Sequence, residues 1–107
     1  MPRDLGRMAQ ATECKDSAEI RHLLQCLAEE HSESAVAISK CLRFGTLDDY
    51  TGDQAINYVV LEHNDVLAVV ELLAERGVVI PRVDDLIQKK KDKLTTMMVY
   101  AREKGTL

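Results

Sequence analysis

Two pairs of acids, each spaced three residues apart, sit inside stretches that otherwise read as amphipathic helix. The first is Glu30 and Glu33 in Leu27-Ala28-Glu29-Glu30-His31-Ser32-Glu33, and the second is Glu62 and Asp65 in Leu61-Glu62-His63-Asn64-Asp65. Three-residue spacing puts both carboxylates of a pair on one helical face. At about 100° per residue, Tyr58, Glu62, Asp65, Val69, Leu72 and Leu73 form one stripe, so the second pair lies where its helix should bury itself. The first pair is expected at the edge of the stripe Ile20, Leu23, Leu24, Leu27, Ser34 and Ile38, with Glu30 nearer the centre than Glu33.

Bare carboxylates between packed helices cost several kcal/mol each, and four together rival the whole stability margin of a small domain. A chain that keeps them there needs a cationic partner. All-oxygen donors without His or Cys suit Mg²⁺, with Mn²⁺ as the alternative, better than zinc or copper. Lys90 is a second candidate for neutralisation, because it lies four after Leu86 and four before Leu94, on an otherwise apolar helix face.

The remaining residues bound the fold. The 107 residues suit one domain, and one Phe, three Tyr and no Trp leave the core to Leu, Val, Ile, Ala and Met, which are mostly compatible with helices. We therefore expect an all-α fold, a helical bundle of three main helices per chain completed by oligomerisation. Residues 1 to 15 show no clear period and read as a tail or short docking segment; residues 16 to 107 form the domain. A capping box in Asp16-Ser17-Ala18-Glu19 starts helix one, which runs to Leu42 or Arg43 and stops at Phe44-Gly45, with Ser32 and Ser34 softening its middle. Residues 45 to 52 are a loop, and Thr51 or Asp53 caps helix two, which runs to Arg76 and ends at Gly77.

Helix two also carries Val59, Val60, Leu61, Leu67 and Val70, so it is apolar over most of its circumference. Three helices can hardly cover it, which predicts a homo-oligomer with helix two at or near the interface. Val78-Val79-Ile80-Pro81 is an extended connector. Helix three spans about residues 83 to 104 with Leu86, Ile87, Leu94, Met97, Met98 and Ala101 on one face, and Gly105 ends it.

A net charge of −4 and a pI near 5.3 argue against general nucleic-acid affinity. No apolar stretch reaches membrane-spanning length, so the expected setting is cytoplasmic, with no membrane partner. Cys14, Cys26 and Cys41 have neither disulfide-framework nor zinc spacing and read as reduced thiols. His22 and His63 read as structural, and His31 faces about 100° away from Glu30, against a direct ligand role. No nucleophilic triad or phosphate-binding glycine loop is present.

Residues 27 to 45 followed by Glu62-His63-Asn64-Asp65-Val66-Leu67 resemble the MazG-like branch of the all-α nucleoside triphosphate pyrophosphohydrolases, whose signature is EExxE followed by ExxD. The resemblance implies a helical bundle assembling as a homodimer or homotetramer, with Mg²⁺ held by Glu30, Glu33, Glu62 and Asp65. Glu29, Glu30 and Glu33 would be the catalytic acids, Glu29 as an auxiliary ligand or a group behind the ligands. The implied reaction splits a nucleoside triphosphate between its α and β phosphates, giving the monophosphate and pyrophosphate. Lys90 and Lys93 resemble basic positions that family members carry on a later helix, where they would hold the outer phosphates. Lys40 and Arg43, near the end of helix one, are further phosphate candidates, or simply favourable charge at a helix C-terminus. His31 stands where relatives commonly have a small residue. Two other readings compete: a non-catalytic helical interaction module whose acids pair with Lys90 and its neighbours, and a ferritin-like di-iron protein, for which only Glu19 and His22 supply an ExxH motif.

Overall fold

The computed structural model describes residues 17–43 and 55–107. They form three helices: α1 (Ala18–Arg43), α2 (Ile56–Glu75) and α3 (Asp84–Glu103), with no strand among the described residues. The all-α expectation holds, and residues 78–81 are neither helix nor strand and link α2 to α3. No described helix is long and apolar enough to cross a membrane.

The start of α1 differs from the expected capping box by one residue. Ser17 is the cap, its Oγ accepting the Ile20 N–H at 3.1 Å while its carbonyl accepts the Arg21 N–H at 3.0 Å. The third helical position is therefore Ile20, and Glu19 is left to pair with Arg76 at the far end of α2. Arg76 also donates to the Leu72 carbonyl at 3.0 Å. The helix continues without interruption through Ser32, whose hydroxyl bonds back to the Ala28 carbonyl at 3.2 Å, so the serines do not break it. Phe44-Gly45, the loop 45–52 and the caps Thr51 and Asp53 lie outside the described residues, as do residues 1–15 with Cys14. At the start of α2, Ala55 occupies the cap without a side-chain bond.

Both later C-termini end as the glycines require. Gly77 (φ 89°) donates to Ala74 O at 3.0 Å and Val78 to Leu73 O at 2.9 Å. Gly105 (φ 77°) and Thr106 repeat the pattern on Arg102 O at 3.2 Å and Ala101 O at 2.9 Å. These paired bonds satisfy the last carbonyls of each helix, and only glycine adopts the left-handed backbone at no steric cost. At the end of α2 the arrangement is stapled by burial, since Val78 packs into the same cluster as Leu73.

α1 and α2 pack antiparallel as a hairpin. Ile20 and Leu23 from the start of α1 meet Leu73 and Val78 from the end of α2, with Leu27 and Val69 packed against them. The contact line on α1 is Ile20, Leu23, Leu27, Glu30, Ser34, Ala37 and Cys41, and on α2 it is Ala55, Val59, Glu62, Val66, Val69 and Leu73; all are buried or half-buried. Both lines alternate steps of three and four, the seven-residue repeat that keeps one seam facing a partner helix. This corrects the expected stripes. Leu24 and Ile38 are 44% and 47% exposed, and Tyr58, Asp65 and Leu72 also lie outside the seam, while Ala37, Cys41 and Val66 take the buried positions. A lone helix turns every 3.6 residues, but two packed helices select the 3.5-residue line, which rotates the buried face toward the smaller side chains.

α3 does not complete a bundle within the chain. No Cα atom of α3 comes within 8 Å of one in α1 or α2, and none of its residues is buried.

Candidate metal centre

Glu30 and Glu62 occupy core positions of the hairpin seam, at the same level of the two antiparallel helices. Leucine or valine would be the ordinary choice at such positions. One turn beyond Glu62, Asp65 leaves the seam on one side of the hairpin, the side that also carries Glu29 and Glu33 of α1 by helical spacing. One carboxylate oxygen each from Glu30, Glu62 and Asp65 lies within 4.8 Å of the others. Metal–oxygen bonds of roughly 2.0–2.6 Å place opposite ligands of one ion about 4–5 Å apart, so the triad has the span of a single divalent cation. An all-carboxylate donor set is the chemistry of a hard cation.

The electrostatics agree with the geometry. Burial raises the Glu62 carboxyl above its ordinary range, and the negative charges of Asp65, Glu33 and Glu30 raise it further, in that order. Glu33, though exposed, is thus part of the field that Glu62 feels. Among the described residues no lysine or arginine pairs with Glu30, Glu33, Glu62 or Asp65, whereas Arg76 pairs with Glu19 and Arg82 with Asp84.

The structure therefore brings together Glu30, Glu62 and Asp65 of the two sequence pairs, while Glu33 stays outside that triad, near enough for its charge to act on Glu62. Glu29 is exposed one turn before Glu33, positioned beside the cluster rather than within it. Lys40 is exposed two turns beyond Glu33 on nearly the same face, about 10 Å along the axis, and Arg43 stands one turn further. Lys90 and Lys93 are exposed on α3 and do not reach the acids of their own chain. His31 and His63 are exposed on the side of the hairpin away from Asp65. His22 lies 3.6 Å from the Cys26 sulfur through its Nε2, two turns from Glu30, and neither Cys26 nor the buried Cys41 is in a disulfide.

Two residues that the sequence reading named as members of the helical stripes, and not of the site, stand one turn from the acids. Ser34, one turn after Glu30 on the same seam, holds its hydroxyl oxygen out of solvent without a hydrogen-bond partner. Tyr58, one turn before Glu62, is the described aromatic ring nearest the acids in sequence, whereas Tyr100 lies on α3 under the Lys104 ammonium, 5.4 Å from its ring centre. Their four-residue spacing from Glu30 and Glu62 was the available signal. An apolar groove of about 390 Å³ between the connector and the first turn of α3, lined by Val79, Ile80, Pro81, Arg82, Val83, Leu86 and Ile87, shares no residue with the acids.

No protein-family model, curated protein or solved structure matches the chain. What the fold and the site define is an all-α chain whose helical hairpin converges carboxylates from two helices at one point.

Proposed function

We propose that this protein is a divalent-cation-dependent hydrolase that converts nucleoside triphosphates to nucleoside monophosphate and pyrophosphate, in the manner of the MazG-like enzymes its acid motifs resemble. The observation that carries the reading is the convergence of Glu30 and Glu62, at half-buried seam positions, with the exposed Asp65 to within 4.8 Å. Carboxylates placed there without a protein cation are costly to the fold unless they serve to bind one.

In this reading Glu30, Glu62 and Asp65 hold Mg²⁺ or Mn²⁺, and Glu33 completes the ligand set from the solvent side. The bound ion supplies neutralisation of phosphate charge and a water acidic enough to attack at neutral pH. Glu29, one turn from Glu33, is placed to accept a proton at the rim. Lys40 and Arg43 provide cations along the helix from the acids, at a distance suited to the outer phosphates. Tyr58 offers a ring for the base. Self-association as a homodimer or homotetramer follows from the apolar surface of the hairpin, where Val60, Leu61, Leu67 and Leu72 of α2 stand exposed.

The competing reading is a non-catalytic helical interaction module, favoured by the apolar side chains that α3 exposes along its length. The ferritin-like reading loses its motif, because His22 lies two turns from Glu30 beside Cys26.

The test is pyrophosphate release from a panel of ribo- and deoxyribonucleoside triphosphates, with and without Mg²⁺. The proposal expects metal-dependent release that Glu62→Gln lowers by two orders of magnitude or more. Equal activity of parent and variant, or no release from any nucleotide, contradicts it.

A further inference from the structure

His22 and Cys26 lie four residues apart in the first half of α1, so their side chains leave the helix on one face, one turn apart. The His22 Nε2 stands 3.6 Å from the Cys26 Sγ. His22 is exposed, Cys26 is half-buried, and the thiol is in no disulfide. Neither residue belongs to the triad of Glu30, Glu62 and Asp65 or to the apolar cluster that holds the hairpin together.

The separation of the two donor atoms has a chemical meaning. Zn–S and Zn–N bonds of about 2.3 Å and 2.0–2.1 Å, meeting at a tetrahedral angle, set sulfur and nitrogen about 3.5 Å apart. His22 and Cys26 already stand at that spacing. Because α1 runs unbroken from Ala18 to Arg43, its backbone holds both side chains in place before an ion arrives, and little ordering is left for binding to impose. Once one donor is bound the other closes within the same helix turn, which raises affinity above that of a single thiolate or imidazole.

Donor softness then selects the ion. A thiolate beside an imidazole favours Zn²⁺ over Mg²⁺ and Mn²⁺, whereas the carboxylate triad that begins at Glu30, one turn beyond Cys26, favours the hard cations. Adjacent turns of α1 thus carry opposite preferences.

We infer that His22 and Cys26 form a two-ligand site for Zn²⁺, separate from the carboxylate triad. Binding forms one bond to Nε2 and one to Sγ and releases the thiol proton to solvent. Water fills the remaining tetrahedral positions, so the site is open rather than the closed four-ligand kind that cysteine spacing would announce. The inference holds whether or not the chain hydrolyses nucleotides.

The test is titration of Co²⁺, as a spectroscopic stand-in for Zn²⁺, into the reduced, metal-free full chain, with helical content checked by circular dichroism. The parent should develop a saturable near-ultraviolet thiolate-to-cobalt charge-transfer band that Zn²⁺ displaces and excess Mg²⁺ does not. Cys26→Ala should abolish the band, and His22→Ala should prevent it from saturating over the same Co²⁺ range. Glu62→Gln, which removes an acid of the triad, and Cys14→Ala should both keep it. A parent without the band overturns the inference, as does a band that survives Cys26→Ala, is unchanged in His22→Ala, or is lost in Glu62→Gln or Cys14→Ala.

Discussion

Leu73→Ala is the change that most directly probes the hairpin on which the acid cluster depends. Leu73 is 0% exposed, packs with Ile20, Leu23 and Val78, and accepts at its carbonyl the Val78 N–H that closes α2. Truncating a buried leucine removes its transfer free energy and leaves a cavity, together about 2–5 kcal/mol. A cluster of four buried residues with two more packed against it has little else to collapse into the gap, so we take about 3 kcal/mol. For a domain of this size about 1 kcal/mol moves the midpoint by roughly 4–8 °C, giving a fall of about 12–24 °C. Leu24→Ala, one position past Leu23 but 44% exposed, serves as the control and should cost under about 1 kcal/mol. Thermal and urea unfolding followed at 222 nm, at one fixed protein concentration, measure both. If Leu24→Ala destabilises as much as Leu73→Ala, the seam assigned to α1 and α2 is wrong, and with it the register that brings Glu30 to Glu62.

Two other outcomes follow from local features. Ser17→Ala removes the side-chain acceptor of the Ile20 N–H and should cost about 1 kcal/mol, whereas Asp16→Ala should cost less; the same unfolding curves decide between them. Glu62 has its carboxyl raised above 4.5 in the fold, so the folded state binds that proton more tightly than the unfolded one. Its contribution is therefore most favourable below the unfolded value and is lost as pH rises through the folded one. In metal-free buffer the parent should lose stability relative to Glu62→Gln as pH is raised from about 4 to 8, and a gap that stays constant with pH would refute that origin.

Much of this arrangement is written locally. Gly77 and Gly105 announce their helix ends because a left-handed residue after an apolar run has few other uses, and the acid pairs stand out because helical spacing alone puts them on one face. The buried face of α1 was less legible. Leu24, Ala28, Ala35 and Ile38 make one side of that helix as apolar as the seam beside it, so the choice between them depends on α2 rather than on α1. The cap moved from Asp16 to Ser17 because either side chain can accept an N–H and one residue of helical phase decides which does. α3 shows its apolar face in the sequence, but a face does not name what covers it. The convergence of Glu30 with Glu62 required the antiparallel register, which rests on contacts between residues some fifty positions apart in the sequence, such as Leu23 with Leu73.

The seven-residue repeat sets Glu30 and Glu62 apart from the exposed Glu33 and Asp65. Glu30 and Glu62 interrupt seams whose other members are apolar or small, and substituting an acid there weakens the hairpin unless something repays it. Among the described residues, the charges that move the Glu62 carboxyl are those of Asp65, Glu33 and Glu30, and all of them act in the unfavourable direction.

Titration calorimetry of Mn²⁺ and Mg²⁺ into the metal-free full chain tests this most directly. The account predicts saturable binding of at least one ion per chain, lost in both Glu62→Gln and Asp65→Asn, with a thermal midpoint that climbs as the ion concentration rises past its dissociation constant. A folded parent that binds neither ion at millimolar concentration, or that binds them equally well without Glu62 and Asp65, would contradict it.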